Sequence, residues 1–144
     1  MPTRTARTAW NGTLQEGSGQ VELSSSKVGT FDVSFPKRTA DEAGGVTSPE
    51  ELIAAAHSAC FSMALSSEVA KAGGTPQSLE VSADVTLGQK DGAPTITGIK
   101  LTVRGEVEGL DAAGFEQAAQ KAKVGCPVSK ALAGVDITME ASLD

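Results

Sequence analysis

Alternating apolar and polar residues in the first third of the chain predict short β-strands. Residues 31–35 alternate with a period of two, which is typical of a strand with one buried face. Val21 and Leu23 show the same pattern more weakly. Residues 36–48 lose the alternation and contain several Gly and Asp or Glu residues, so we predict an irregular loop there. Reactive side chains are often found on loops of this kind.

A long helix with few polar side chains is predicted after this loop. Ser48 is favourable at the N-cap and Pro49 at the first helical position, and Glu51 completes the sequence of a capping box. Residues 52–67 carry no formal charge and place apolar side chains on every face. A helix of this kind must be covered by protein on all sides. Because one chain of 144 residues has little material to do this, we expect a second copy to contribute.

The second half of the chain predicts a hairpin, two helices and a final strand. The hairpin turns at Asp91-Gly92, and a change of phase across Gly98 indicates a β-bulge. These elements are predicted over residues 79–87, 96–103, 111–123, 127–132 and 135–141. The order βββ-α-ββ-αα-β predicts an α+β fold with mainly antiparallel strands, in one domain over residues 1–144.

Charge and composition exclude several classes of partner. The chain has 18 acidic and 12 basic side chains, a formal net charge of −6, and no basic cluster longer than Lys37-Arg38. Nucleic acid and anionic membranes are therefore not expected as partners. The N-terminal residues lack the apolar stretch of a secretory signal, and we expect a cytoplasmic protein. The uncharged run 52–67 is too short, and too often interrupted by Ser and His, to predict a membrane span.

Two cysteines, Cys60 in the uncharged helix and Cys126 before Pro127, are the candidate chemical groups. In an acidic protein without an export signal, such a pair indicates a redox couple more than a structural disulfide. Neither belongs to a Cys-x-x-Cys sequence, so the fold must bring them together. Cys126 is predicted at a helix N-cap, where free N–H groups stabilise a thiolate. Cys60 taken alone is more typical of a small buried apolar residue than of a reactive thiol.

Three further residues are considered with the cysteines. A free thiol is only about 3% thiolate at pH 7, so an efficient thiol enzyme needs a cation beside the sulfur. Arg38 is a candidate for that cation, and the alternative is a solvated surface charge. Glu50 is a candidate partner, although the helix dipole alone favours a carboxylate in a first turn. His57 is expected to be structural, because one His and two Cys are too few for a zinc site.

Two sequence stretches around the cysteines resemble the OsmC/Ohr family of thiol peroxidases. They are PEELIAAAHSACFSMAL, residues 49–65, and KAKVGCPVS, residues 121–129. His57 and residues 61–65 resemble the OsmC branch more than the organic hydroperoxide resistance (Ohr) branch. The resemblance covers nearly the whole chain. It implies an OsmC-like α+β fold in an intertwined homodimer, with curved, mainly antiparallel sheets around central helices and active sites at the dimer interface.

The same resemblance implies a role for each candidate residue. Cys60 would attack the hydroperoxide, Cys126 would resolve the resulting sulfenic acid as a disulfide, and Arg38 with Glu50 would activate Cys60. Lys37 is the neighbouring alternative for the cation. An external dithiol of lipoyl type would reduce the disulfide, and no flavin, haem or metal would be required. The implied activity is the reduction of organic hydroperoxides in oxidative and osmotic stress defence.

Substrate preference and two alternative functions complete the predictions. Phe61, Met63 and Leu65 are expected to make the surroundings of Cys60 apolar, so organic hydroperoxides should react faster than hydrogen peroxide. One alternative is a dimeric redox sensor or binding module that uses the same cysteine pair without catalytic turnover. The other is that both cysteines are structural.

Overall fold

The computed structural model describes all residues, 1–144, and its internal contacts define two compact units, Met1–Leu52 and Ile53–Asp144. Each unit has a three-stranded sheet. The strands, β1 to β6, are Arg7–Asn11, Ser18–Glu22, Thr30–Val33, Thr75–Lys90, Ala93–Glu108 and Ile137–Leu143. The helices, α1 to α4, are Phe35–Arg38, Pro49–Lys71, Ala112–Gly125 and Pro127–Ala131. The α+β class is confirmed, whereas a single domain over 1–144 stays a prediction.

The first unit contains the antiparallel sheet β1-β2-β3, with β2 in the centre. β2 and β3 lie where the alternating pattern predicted strands. The position of β1 could not be predicted because all five of its residues are exposed, so they carry no alternating pattern. The predicted loop is also partly wrong. Ser34 caps a short helix there, accepting a hydrogen bond from the Lys37 N–H at 3.3 Å, and Arg38 is the last residue of this helix α1.

The long helix α2 begins largely as predicted. The Ser48 hydroxyl accepts a hydrogen bond from the Glu51 N–H at 3.1 Å. The second half of the capping box is wrong, because the Glu51 carboxylate accepts a hydrogen bond from Thr47 instead of returning to Ser48. The helix ends before Gly73, whose φ of +92° is the left-handed conformation that glycine adopts without strain.

One chain covers only one stripe of α2. His57, Phe61, Leu65 and Val69 are fully buried at a spacing of four residues, which places them on one face of the helix. Met63 is 74% exposed, so the predicted cover on all sides is not provided within a single chain. By length and composition alone α2 could cross a membrane, a property that core helices of soluble proteins share.

The second unit contains the sheet β4-β5-β6. β4 and β5 form the predicted hairpin, and their register shifts where Gly98 pairs with Thr86 and Ile96 with Leu87, which confirms the β-bulge. β6 runs parallel to β5, and the remaining strand pairs of the protein are antiparallel.

The helices α3 and α4 carry the second cysteine into the core of this unit. Asp111 caps α3 by accepting a hydrogen bond from the Gly114 N–H at 2.7 Å. Four apolar side chains of α3 are buried, as their helical spacing predicted: Phe115, Ala118, Ala119 and Ala122. Cys126 ends α3 and is the N-cap of α4. Because both helices are fixed at this residue, the position of its sulfur is set by the core.

Candidate active site

The fold brings the two cysteine sulfurs together. Cys60 lies in the middle of α2 and Cys126 lies 66 positions later, yet their Sγ atoms are 3.2 Å apart. Both thiols are free. A disulfide has an S–S distance of about 2.05 Å, so an approach of roughly 1 Å would allow the bond to form. The structure therefore permits direct chemistry between the two sulfurs with little backbone movement.

The two thiols differ in exposure and acidity. Cys126 is fully buried and Cys60 is partly exposed. Burial and the neighbouring Cys126 sulfur raise the pKa of the Cys60 thiol above its ordinary value, and the Val128 N–H opposes this only in part. None of the groups that act on Cys60 is a cation. In this chain Cys60 is therefore the accessible thiol but not an activated one.

Cys126 has the opposite character. Burial acts to raise the pKa of its thiol, but hydrogen bonds from the Ser129 N–H, the Cys60 thiol, the Ser129 hydroxyl and the Val128 N–H outweigh burial and lower the pKa. The sulfur makes no capping hydrogen bond to α4, and its one side-chain hydrogen bond in the structure is the 3.2 Å contact with the Cys60 sulfur. Either thiol can donate to the other sulfur. The order of the two pKa values favours the Cys60 S–H as donor and Cys126 as acceptor.

Arg38 and Glu50 form the second pair that the structure brings together. The Arg38 Nε donates to Oε1 of Glu50 and its Nη2 donates to Oε2, both at 2.9 Å. This bidentate geometry is the strongest form of an arginine–carboxylate pair. The hydrogen bond to Glu50, opposed by burial, raises the pKa of the Arg38 guanidinium. Glu50 is buried and the Arg38 side chain is 34% exposed, so a fixed positive charge faces solvent with its other Nη free of partners.

A small hollow of the first unit lies beside this guanidinium. Its lining includes Arg38 together with the apolar side chains of Trp10, Leu14 and Phe35. Trp10 is held by a hydrogen bond from its Nε1 to the Gly12 carbonyl at 3.0 Å. The hollow combines a charged donor with apolar walls, which suits a ligand that has one polar and one hydrocarbon end.

Comparison with known proteins identifies the family. A family model described as OsmC-like protein matches residues 42–140. Peroxiredoxin OsmC of Escherichia coli is 44% identical over 134 residues, which are 93% of this chain and 92% of that protein. The organic hydroperoxide resistance protein OhrA of Bacillus subtilis is 37% identical over 120 residues, 82% and 84% of the two chains. This chain belongs to the OsmC/Ohr family.

A solved structure agrees with the family assignment. The organic hydroperoxide resistance protein OhrB of Bacillus subtilis superimposes with a TM-score of 0.76 at 29% identity, covering 96% of this chain and 98% of that one. The OsmC-like fold is therefore confirmed. The names of these relatives support a function of peroxidase type in the OsmC/Ohr family.

Within this OsmC/Ohr chain, two expectations for side chains near Cys60 need correction. Phe61 and Leu65 do not form an apolar pocket, because both are fully buried in the hydrophobic core. The alternation of core positions along α2 explains this, since residues 61 and 65 lie one turn apart on the buried stripe. Met63 points away from that stripe and is exposed.

His57 has contacts that were not predicted from the sequence. Its ring is fully buried, and its Nε2 lies 2.8 Å from Oγ of Ser129. Its Nδ1 is buried without a hydrogen-bond partner. Two spacings in the sequence were available as a signal: His57 is one helical turn before Cys60, and Ser129 is one turn after Cys126.

Proposed function

We propose that this protein is a cysteine-based peroxidase that reduces organic hydroperoxides to alcohols, and hydrogen peroxide less well, in oxidative and osmotic stress defence. The observation that carries the proposal is the 3.2 Å distance between the Cys60 and Cys126 sulfurs. A pair of free thiols at this distance, one of them partly exposed, can complete a cycle of oxidation and disulfide formation. The names of the relatives in the OsmC/Ohr family supply the substrate class.

Cys60 is the attacking thiol in this proposal because it is the more exposed of the two. Its thiolate attacks the terminal oxygen of the hydroperoxide, an S–O bond forms and the O–O bond breaks. The alkoxide leaves and takes up a proton to become the alcohol, while Cys60 becomes a sulfenic acid. Because alkoxide charge develops during this step, a nearby guanidinium would accelerate it.

Cys126 then resolves the sulfenic acid. Its sulfur attacks the Cys60 sulfur, the S–O bond breaks, and the hydroxide that leaves combines with the Cys126 proton to form water. The product is a Cys60–Cys126 disulfide, which protects Cys60 from irreversible over-oxidation. An external dithiol, of lipoyl type by resemblance to the family, reduces the disulfide and restores both thiols.

Arg38 and Glu50 are proposed as the activating pair. The pKa of the Cys60 thiol is raised by burial, with no cation acting on it, so Cys60 needs a positive charge that is held in place. The bidentate bond to Glu50 holds the Arg38 guanidinium in one orientation and leaves an Nη for a thiolate or an alkoxide. We assign this role to Arg38 and not to Lys37, which makes no ion pair with Glu50.

A second copy of the chain is part of the proposal. The exposed face of α2 carries Met63 and several Ala side chains that one chain leaves uncovered. Size-exclusion chromatography with light scattering should report a dimer down to low concentration, and Met63→Glu should weaken it because a charge would be buried in the contact. A stable, compact wild-type monomer would contradict this part.

Mixed dimers test which chain supplies the activating pair. Cys60→Ser chains retain Arg38, and Arg38→Ala chains retain Cys60. If Arg38 acts on the Cys60 of the other chain, unfolding and refolding the two impaired variants together should restore one fully working site per mixed dimer. If Arg38 acts within its own chain, the mixture at pH 7 should be no faster than its Arg38→Ala component.

Turnover separates the proposed enzyme from a redox sensor. Reduced protein is given a large excess of cumene hydroperoxide and a lipoyl-type dithiol, and alcohol is counted per protein chain. An enzyme forms many equivalents of alcohol at a constant rate. A sensor that uses the same cysteine pair would form about one equivalent before the slow reduction of its disulfide limits it, and that result would overturn the proposed function.

A further inference from the structure

His57 is the one buried titratable side chain that the proposed cycle leaves unused. It is fully buried, and its Nε2 lies 2.8 Å from the hydroxyl of Ser129. Ser129 is itself 6% exposed and occupies the third position of α4, after the N-cap Cys126. A side chain at this position faces back toward the N-cap residue. The hydrogen bond from the imidazole therefore ends on a hydroxyl in the same helical turn as the second cysteine.

The direction of these hydrogen bonds follows from the imidazole. A neutral imidazole has one N–H, and Nδ1 of His57 has no partner in the chain. The tautomer that uses this N–H places it on Nε2, where it donates to Oγ of Ser129. The hydroxyl proton of Ser129 is then not needed by His57. It is free to point at the Cys126 sulfur, which stands 3.2 Å from Cys60.

We propose that His57 and Ser129 are positioning residues for Cys126: the imidazole orients the Ser129 hydroxyl so that it donates to the Cys126 sulfur and stabilises its thiolate. This inference rests on the proposed function for the identity of the reaction, and it goes beyond it by assigning two residues to the second half of the cycle. A hydroxyl donating to an anion makes a charge-assisted hydrogen bond, which is stronger than a neutral one. The Ser129 hydroxyl is among the groups that lower the pKa of Cys126.

The stabilised thiolate would serve in both directions of the disulfide reaction. When the disulfide forms, the Cys126 thiolate attacks the sulfenic sulfur of Cys60, the S–O bond breaks, and the hydroxide that leaves takes up a proton from solvent to become water. When a dithiol reduces the disulfide, it attacks the accessible Cys60 sulfur, and Cys126 leaves as a thiolate and then takes up a proton. A lower pKa makes the second sulfur the better leaving group. The first step, attack of Cys60 on peroxide, does not use this contact.

The experiment separates the steps by single-turnover kinetics. Reduced protein is mixed with one equivalent of cumene hydroperoxide, and sulfenic acid and disulfide are counted by quenched mass spectrometry across pH 5.5 to 9. Ser129→Ala and His57→Leu should leave sulfenic acid formation unchanged. Disulfide formation at pH 7 should slow about threefold for each pKa unit that Cys126 gains, because its thiolate fraction falls tenfold while its nucleophilicity partly recovers. The pH dependence of this step should move to higher pH.

Controls distinguish positioning from a general effect on packing. His57→Gln keeps an amide N–H near the position of Nε2 and should retain most of the wild-type rate. Ser62→Ala removes a hydroxyl from α2, the helix of His57. That hydroxyl bonds only to the Ser58 carbonyl, at 2.8 Å, so this variant should behave as wild type. The double variant Ser129→Ala/His57→Leu should show the same pH dependence as Ser129→Ala alone. Equal slowing of both chemical steps, or an unshifted pH dependence in Ser129→Ala, would overturn the inference.

The pH dependence can be assigned because few groups act on Cys126. The titratable groups around its sulfur are Cys60 and, through Ser129, His57, both from α2. α4 contributes the N–H groups of Val128 and Ser129, and no charged side chain is among the groups that act on this thiol.

A second measurement does not depend on peroxide chemistry. Diamide oxidises each protein to the Cys60–Cys126 disulfide, and the rate of its reduction by dithiothreitol is followed at pH 7. Ser129→Ala should be reduced several-fold more slowly than Ser62→Ala, because Cys126 becomes a poorer leaving group. If wild-type protein forms no sulfenic acid with peroxide but this difference remains, the proposed function fails and the inference stands. Equal reduction rates would overturn the inference alone.

Discussion

The two cysteines of this chain are neighbours in space but have opposite surroundings. Cys60 lies on a long helix, partly exposed, with a pKa that burial raises. Cys126 lies at a junction of two helices, fully buried, with a pKa that the neighbouring N–H and hydroxyl groups and the Cys60 thiol lower in spite of burial. The more exposed thiol is therefore the less acidic one. The comparison teaches that, in a single chain, access and activation belong to different sulfurs.

The difference follows from the backbone around each residue. In the middle of α2 every N–H is already bonded within the helix, so none is free for the Cys60 sulfur. At the N-cap of α4 the first N–H groups have no helical partner, so they remain available to Cys126. A mid-helix thiolate thus has no N–H donor from its own helix, and the Val128 N–H of α4 offsets burial of Cys60 only in part, which is why the proposed role of Arg38 matters for Cys60 and not for Cys126.

The largest expected effect separates the roles of the two sulfurs. Cys60→Ser should abolish peroxide consumption, because the accessible nucleophile is lost. Cys126→Ser should still reduce about one equivalent of peroxide and then stop as a sulfenic or over-oxidised species, because nothing resolves it. Peroxide loss and protein mass, measured together, check both outcomes. Equal loss of the first turnover in both variants would remove the assignment.

The next effect concerns the missing activation of Cys60. Arg38→Ala should slow sulfenic acid formation at pH 7 on the order of a hundredfold, since a fixed charge at the transition state is removed. It should also raise the pKa of the Cys60 thiol, so the defect should shrink as the pH rises toward 10. Single-turnover rates from pH 6 to pH 10 measure both changes.

Three matched variants sharpen the test of Arg38. Arg38→Lys should recover only part of the rate, because lysine cannot make the bidentate bond to Glu50. Lys37→Ala removes the adjacent charge and should have little effect. Arg104→Ala removes an arginine that pairs with Asp144 at the surface and controls for net charge. A loss in Lys37→Ala as large as that in Arg38→Ala would transfer the role to Lys37.

The sequence predicted the candidate residues of this site but not the contacts between them. Cys60, Cys126, Arg38 and Glu50 could all be singled out from local sequence, and their roles came from a family resemblance. Local sequence does not predict which pairs meet, because the 3.2 Å contact between the sulfurs depends on how α2 packs against the end of α3. The helix α1 was missed because four residues are too few for a periodic pattern.

Side-chain direction along α2 could not be predicted for a related reason. A run without charge shows no amphipathic pattern, so the sequence could not indicate which apolar residues face the core. The structure shows that Phe61 and Leu65 do. The case for organic substrates therefore moves from these residues to the apolar walls of the hollow beside Arg38.

A smaller expected effect tests substrate preference at that hollow. Covering about 100 Å² of apolar surface contributes about 2.5 kcal/mol if fully expressed in the transition state, and partial burial would leave a factor of about ten. Cumene hydroperoxide should then react about tenfold faster than hydrogen peroxide with reductant saturating. Leu14→Ala should lower the rate for cumene hydroperoxide only, while Val28→Ala, at an exposed position outside the hollow, should change neither. Equal wild-type rates would end the apolar-pocket argument and leave the thiol mechanism standing.

The smallest expected effect tests whether the buried imidazole of His57 is neutral. Burial lowers the pKa of His57 below its ordinary value of 6.5, so between the folded-state pKa and 6.5 the unfolded chain binds a proton that the folded chain does not. Stability should therefore fall as the pH drops below 6.5, by at most about 1.4 kcal/mol per pH unit from this residue. Above pH 7 the imidazole is neutral in both states and contributes no slope.

Urea unfolding of reduced wild type and of His57→Gln measures this contribution, at one protein concentration and at pH 7.5, 6.5 and 5.5. Because the carboxylates titrate in both proteins, the difference between the two slopes of stability against pH belongs to His57. The opposite result would be a gain of stability in wild type, relative to His57→Gln, on acidification. In that case His57 would be an imidazolium paired with the Cys126 thiolate, and the lowered pKa of that thiol would come from this positive charge and not from neutral hydrogen-bond donors.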